Sequence, residues 1–235
     1  MEGKQLPQLF IDTHTHSRER HSADVCRIRS VFAREYAADS SSVDGSCSVG
    51  LHPWHVAAGT WEEDTERVRH AASDLRVVAV GEAGLDKYAD ASLDVQRAAF
   101  EAQINIACDA GLPMIVHLVK AFDLFLELVR AASENVIFIV HGFRGSPEMV
   151  GQLVRAGAYI SFGAALLEPP AKLRRALCAV PDNRLFLETD ESGCDIREIY
   201  EAAAGMRGVE LRRLVRIIEN NVVNIFGRLA PGWAW

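Results

Sequence analysis

No stretch of the 235 residues approaches the roughly 18 consecutive apolar positions that a membrane-crossing helix needs. The opening segment, Met1 to Phe10, has no long apolar run of the kind that directs secretion, so no signal peptide is expected. Cysteine is scarce: Cys26, Cys47, Cys108, Cys178 and Cys194 are scattered, odd in number and never spaced as CxxC. That usage excludes a disulfide scaffold and fits reduced thiols in a cytoplasmic setting. Positive charge is in the minority, 25 Lys and Arg against 32 Asp and Glu, for a net charge of −7. A protein that coats duplex DNA by bulk electrostatics is thereby disfavoured, whereas a nuclease that supplies positive charge locally through metal ions is not. Low-complexity tracts, linkers and repeats of 20–50 residues are also missing. What is present is an apolar content of 49%, enough to bury a core and too much for a disordered chain.

The apolar residues fall into short runs separated by longer helical patterns. Leu9–Ile11, Ser46–Leu51, Val77–Val80, Met114–Val116, Val136–Val140, Tyr159–Phe162 and Leu185–Leu187 read as strands buried on both faces of a parallel sheet. Val25–Phe32 alternates in part and supplies an eighth strand between the first two of these. Helical spacing covers 62–72, 92–110, 121–132, 147–156 and 211–226. Ser146 caps the fourth of these helices with Pro147 as its first residue, and Gly111 with Pro113 ends the second. Strands alternating with helices, without hairpin signals, predict a single (β/α)8 barrel spanning residues 1–235. The connection from the first strand to the third is short, so a helix there is expected to be reduced or missing.

Residues able to bind metal follow these strands. His14 and His16 lie in Asp12-Thr13-His14-Thr15-His16, where a spacing of two puts both imidazoles on one side of an extended chain. Glu82 follows Val77–Val80, His117 follows Met114–Val116, His141 follows Val136–Val140, and Asp190 follows Leu185–Leu187. In a barrel these strand ends meet at one mouth, where such folds carry out their chemistry. A histidine after one strand is more often structural; the same pattern at five strand ends is not. Imidazole mixed with carboxylate, without cysteine, suits a hydrolytic centre for Zn²⁺, Mn²⁺ or Mg²⁺ better than a closed structural zinc site.

These motifs, together with Gly50-Leu51-His52-Pro53, Gly81-Glu82-Ala83-Gly84-Leu85-Asp86, His141-Gly142-Phe143-Arg144-Gly145-Ser146 and Leu187-Glu188-Thr189-Asp190, occur in the order seen in TatD-related metal-dependent hydrolases of the amidohydrolase superfamily. The resemblance extends from about Phe10 to Phe226. It implies a (β/α)8 barrel, two divalent ions and deoxyribonuclease activity, with single-stranded DNA as the expected substrate. It also implies that His14 and His16 ligate one metal and His117 and His141 the second. By the same resemblance Glu82 bridges the two, and Asp190 binds the first and takes the proton from the attacking water. The chain departs from the family where a His-Ser-Arg-Asp-Ala stretch becomes His117-Leu118-Val119-Lys120-Ala121. It departs again where the usual proline after the last aspartate is replaced by Glu191-Ser192-Gly193-Cys194, and in its short 17–46 region.

Other residues keep two readings. Arg144 and Lys120 stand where they would grip a phosphate, or they are solvated loop cations. His52 and His55 are substrate or supporting groups, or structural turn residues. Glu188 supports the site or pairs with a buried donor. Arg18, Arg20, Arg27 and Arg29 read as a solvated face, with nucleic-acid contact as the alternative. Trp233 and Trp235 pack on the barrel or form a dimer contact. The competing function is an amidohydrolase cleaving a C–N or ester bond of a small molecule. A nucleic-acid substrate requires Lys120, Arg144 and the arginine cluster to face the mouth.

Overall fold

The computed structural model describes residues 8–19 and 22–227. Eight strands form one all-parallel sheet in sequence order: β1 Phe10–Thr15, β2 Val25–Phe32, β3 Cys47–Gly50, β4 Val77–Asp86, β5 Met114–Val119, β6 Phe138–Val140, β7 Tyr159–Phe162 and β8 Leu185–Leu187. An isolated parallel bridge between Thr15 and Asp190 joins the two ends and makes the sheet a nearly closed barrel. The helices are α1 Ala33–Ala38, α2 Trp61–Ala71, α3 Leu93–Ala110, α4 Phe122–Ala131, α5 Pro147–Arg155, α6 Ala171–Ala179, α7 Ile196–Arg207 and α8 Leu211–Phe226. The expected strands and helices are all found, and the partly alternating 25–32 segment is a full strand of the barrel. As the short connections require, no helix separates β1 from β2 among the described residues, and only six residues of α-helix separate β2 from β3. The pattern did not reveal α1, α6 and α7. No described helix is long and apolar enough to cross a membrane.

The seam between β8 and β1 explains how the last strand is aligned with the first. A parallel ladder is missing along most of it, and side chains satisfy the backbone instead. The Tyr200 hydroxyl of α7 accepts from the Ile11 N–H at 3.2 Å and donates to the Ile11 carbonyl at 3.0 Å. Thr13 donates to the Leu187 carbonyl at 2.9 Å. The buried Asp12 carboxylate accepts from the Thr189 N–H at 2.9 Å and from its hydroxyl at 2.6 Å. Above these, Asp190 N–H donates to His14 O at 2.9 Å and His16 N–H to Asp190 O at 3.2 Å. The stitching fixes Asp190 level with His14 and His16. Asp190 itself takes a left-handed φ of 55°, a conformation that Asp tolerates better than most residues.

β4 passes close against β5, and the Gly-Glu-Ala-Gly motif makes this feasible. A Cβ on Gly84, at φ 151°, would stand 2.0 Å from the His117 carbonyl oxygen. Two buried glutamines of α3, seven residues apart and so on one helix face, hold the upper ends of neighbouring strands. Gln103 exchanges bonds of 2.8 and 3.1 Å with the backbone of Leu51, and Gln96 exchanges bonds of 2.8 and 2.9 Å with the backbone of Asp86. His52 and Asp86 are thereby set at the mouth.

Candidate metal centre

Glu82 is the hub of the mouth, 4% exposed and surrounded by five imidazoles. Its Oε2 lies 3.5 Å from His14 Nε2 and 3.3 Å from His16 Nε2. Its Oε1 lies 2.8 Å from His117 Nδ1, 2.7 Å from His141 Nε2 and 3.2 Å from His52 Nε2. Asp190 Oδ1 stands 3.7 Å from both His14 Nε2 and His16 Nε2. The two carboxylate oxygens of Glu82 thus face two separate groups of histidines. All six expected ligands converge, and none points into the helix layer.

The donor set fits divalent cations on grounds internal to the structure. His14 is 1% exposed, yet neither of its ring nitrogens has a hydrogen-bond partner. A buried orphan of this kind costs free energy unless something binds it. Trios with ligand atoms within 4.8 Å of one another are formed by His14, His16 and Glu82 and by His14, His141 and Asp190. On the far side of the rings, His117 Nε2 meets Asp86 Oδ2 at 3.0 Å and His141 Nδ1 lies 3.5 Å from Glu188 Oε1. Carboxylates behind imidazoles orient the rings and raise their basicity toward a metal. Glu188, fully buried, also accepts from the Gly142 N–H at 2.5 Å, so it supports the site.

His52, expected as a substrate or supporting group or as a structural turn residue, lies beside Glu82. Its Nδ1 accepts from the Trp54 N–H at 3.1 Å, so the neutral ring carries its proton on Nε2. That nitrogen stands 3.2 Å from Glu82 Oε1 and, so protonated, has no lone pair for an ion. Buried and close to that carboxylate, His52 steadies Glu82. His55 packs its ring against Phe32, with centroids 4.5 Å apart.

The charges follow from these contacts. Burial alone would push the Glu82 carboxyl up, but the His141 charge and the neighbouring imidazoles, His117 foremost, hold it well below the usual carboxylate range. Burial would depress His141, and the Glu82 and Glu188 carboxylates raise it well above an ordinary imidazole. His16 is raised by Glu82 and Asp190 against the effect of its burial. Asp86 is held low despite burial by the Tyr88 N–H, His117 and Trp54.

Lys120 and Arg144 are exposed, form no ion pair among the described residues, and stand on the β5–α4 and β6–α5 connections at the mouth. The described arginines of the cluster are tied to protein groups. Arg18 pairs with Glu35, and Arg27 donates to the carbonyls of Ser17 and Glu19. Arg29 is 5% exposed, not solvated, and binds Ser42 O and Glu35 Oε1 at 3.1 Å each. These side chains fasten the helix-free β1–β2 region and α1. Arg20, Trp233 and Trp235 lie outside the described residues. The pattern of motifs missed Gln96, Gln103 and Asp12, and left Asp86 without a role although it closes the Gly81–Asp86 motif.

Comparison with known proteins agrees with this geometry. The family described as TatD related DNase matches residues 24–227. The match begins after β1, so the placement of His14 and His16 rests on the seam itself. The chain is 34% identical over 146 residues to the uncharacterized metal-dependent hydrolase YabD of Bacillus subtilis, covering 61% of this chain and 57% of that one. It is 29% identical over 201 residues to the 3'-5' ssDNA/RNA exonuclease TatD of Musicola paradisiaca, covering 76% and 75%. The crystal structure of the Escherichia coli TatD homologue YJJV superposes with a TM-score of 0.78 at 22% identity over 94% of this chain and 99% of that one, a likeness of fold. The chain belongs to the TatD related DNase family of metal-dependent hydrolases.

Proposed function

We propose that the chain, as one hydrolase domain over residues 1–235, cleaves phosphodiester bonds of single-stranded DNA in the cytoplasm. It would use two divalent ions, Mg²⁺, Mn²⁺ or Zn²⁺, held by His14, His16, Glu82, His117, His141 and Asp190. The observation that carries this reading is the division of Glu82: one oxygen faces His14 and His16, the other His117 and His141. One carboxylate between two imidazole pairs is the arrangement a bridging ligand requires. Divalent ions bound there supply Lewis acidity and lower the pKa of water from 15.7 to about 7.

The protein's own part is to hold and to move charge. Asp190 directs Oδ1 toward His14 and His16, which leaves Oδ2 to accept the proton of the attacking water. No backbone N–H among the described residues donates to the Asp190 carboxylate, so it is not a loop cap. Arg144 and Lys120 neutralise the phosphate from the rim, which lets an anionic strand approach a chain of net charge −7. The exonuclease named among the relatives supports a single-stranded substrate. Five unpaired cysteines support a reducing compartment.

The test incubates the metal-loaded protein with end-labelled single-stranded and duplex oligonucleotides and with a panel of small amides and esters, with and without EDTA. Chelator-sensitive cleavage of the single strand is expected. Turnover of an amide or ester without any cleavage of nucleic acid would establish the amidohydrolase alternative instead.

A further inference from the structure

Two aromatic rings stand exposed at the mouth and take no part in the centre described above. Trp54 is 65% exposed and Tyr88 71%. They follow β3 and β4, beside the strand ends that carry His52 and Asp86. Large exposed side chains normally sample many rotamers, and fixing one costs conformational entropy. Trp54 is fixed nonetheless, and at several points. Its backbone N–H donates to His52 Nδ1 at 3.1 Å, and its indole Nε1–H donates to Asp86 Oδ2 at 2.8 Å. Its ring packs on His52 with centroids 5.1 Å apart and stands 6.2 Å from the His117 ring. The second oxygen of Asp86 accepts the Tyr88 N–H at 2.8 Å. A single buried carboxylate therefore orients a candidate metal ligand, an exposed indole and the backbone of an exposed tyrosine.

Folding gains little from an apolar ring presented to water, and a pre-set exposed ring lowers the entropic cost of covering it with a ligand. We propose that Trp54, with Tyr88, is a stacking platform for an unpaired nucleobase of the strand whose phosphodiester lies over Glu82. The proposal rests on the phosphodiesterase reading for its choice of ligand. Unpaired bases offer free π-faces, while those of a duplex are covered by their neighbours, so the platform favours single strands. Rigid aromatics for bases beside free cations for the backbone, here Arg144 and Lys120, are the combination that single-strand binding uses. With a net charge of −7, the chain gains little from bulk attraction and must draw affinity from such local contacts.

The test compares two phosphorothioate-linked pentamers, one of thymidines and one abasic throughout, by fluorescence anisotropy on the metal-loaded protein. Cleavage of ordinary pentathymidylate is followed alongside. The parent is expected to bind the base-bearing strand about ten- to a hundredfold more tightly, the contribution of one stacked base. Trp54→Ala should bring that preference close to one. Trp54→Phe, which keeps a stacking face and loses only the indole N–H, should retain it within a few-fold. A parent without preference, or an alanine variant that keeps it, overturns the platform. So does equal loss in the phenylalanine and alanine variants, which would mean that Trp54 acts only by holding Asp86. Binding with preference but without cleavage would sink the phosphodiesterase reading and leave the platform standing.

Discussion

Replacing Glu82 with glutamine keeps the shape of the side chain and removes the charge shared by two groups of histidines. If Glu82 bridges two ions, the variant loses affinity at both positions at once. The size of the effect follows from linkage. A ligand at about a hundred times its dissociation constant stabilises the folded state by about 2.7 kcal/mol. In a chain of this length each kcal/mol moves Tm by roughly 2–4 °C, so the parent should gain about 5–11 °C for each ion bound. Partners one shell further out already account for about 10–100-fold in metal affinity, so loss of a bridging ligand is at least hundredfold. At the same metal concentration each site of the variant is then near half saturation and contributes about 0.4 kcal/mol, or 1–2 °C. Each protein is compared with its own metal-free form, because removing a buried charge from beside His141 changes the baseline as well. Thermal melts with and without Mn²⁺ or Zn²⁺, together with elemental analysis, make the measurement. Arg144→Ala serves as the control: it should keep the parent's metal content and raise KM. A Glu82→Gln protein with the parent's metal content and thermal shift would refute the bridge and leave Glu82 as a buried acceptor for histidine protons.

Asp190→Asn should keep the parent's Tm and lose about 10²–10⁴ in kcat under saturating metal, because an amide is a poor proton acceptor; activity within a few-fold of the parent would remove Asp190 from the mechanism. Asp86→Asn weakens the hold on His117, and competition titration with a chelator should show metal affinity falling about 10–100-fold. Away from the mouth, the Arg76 guanidinium and then the Tyr36 hydroxyl hold Asp74 below the usual carboxylate range. A depressed carboxyl contributes stability that is full above the unfolded value of about 3.9 and is lost as pH falls below it. The Tm difference between the parent and Asp74→Asn should therefore hold steady from pH 8 to pH 5 and close below about pH 4.

The features legible in the sequence are those with a local cause. Val77–Val80 is apolar throughout because both faces of its strand are covered; Glu82, expected just after it because strand ends point to the mouth, lies instead within the longer β4, toward its mouth-facing end. The same logic located His117, His141 and Asp190. The periodicity of α3 and α8 marked long helices, whereas α6 and α7 are shorter and more polar on average and left no such trace. Arg29 illustrates how a local pattern misleads: four arginines within a dozen residues read as a solvated face, yet Arg29 is buried, its guanidinium taken up by the carbonyl of Ser42 and the carboxylate of Glu35. The supporting residues were illegible for a related reason. Gln103 reaches Leu51 across 52 positions, and Tyr200 reaches Ile11 across 189. A glutamine within a helix or a tyrosine near its middle has no local signature of such a task; its role exists only once the barrel has closed. The metal-type residues are recognisable by their chemistry, and their precision comes from neighbours whose chemistry is ordinary. The seam shows this most directly. Asp12, Thr13 and Tyr200 replace a missing backbone ladder, and it is their bonds that bring Asp190 level with His14 and His16.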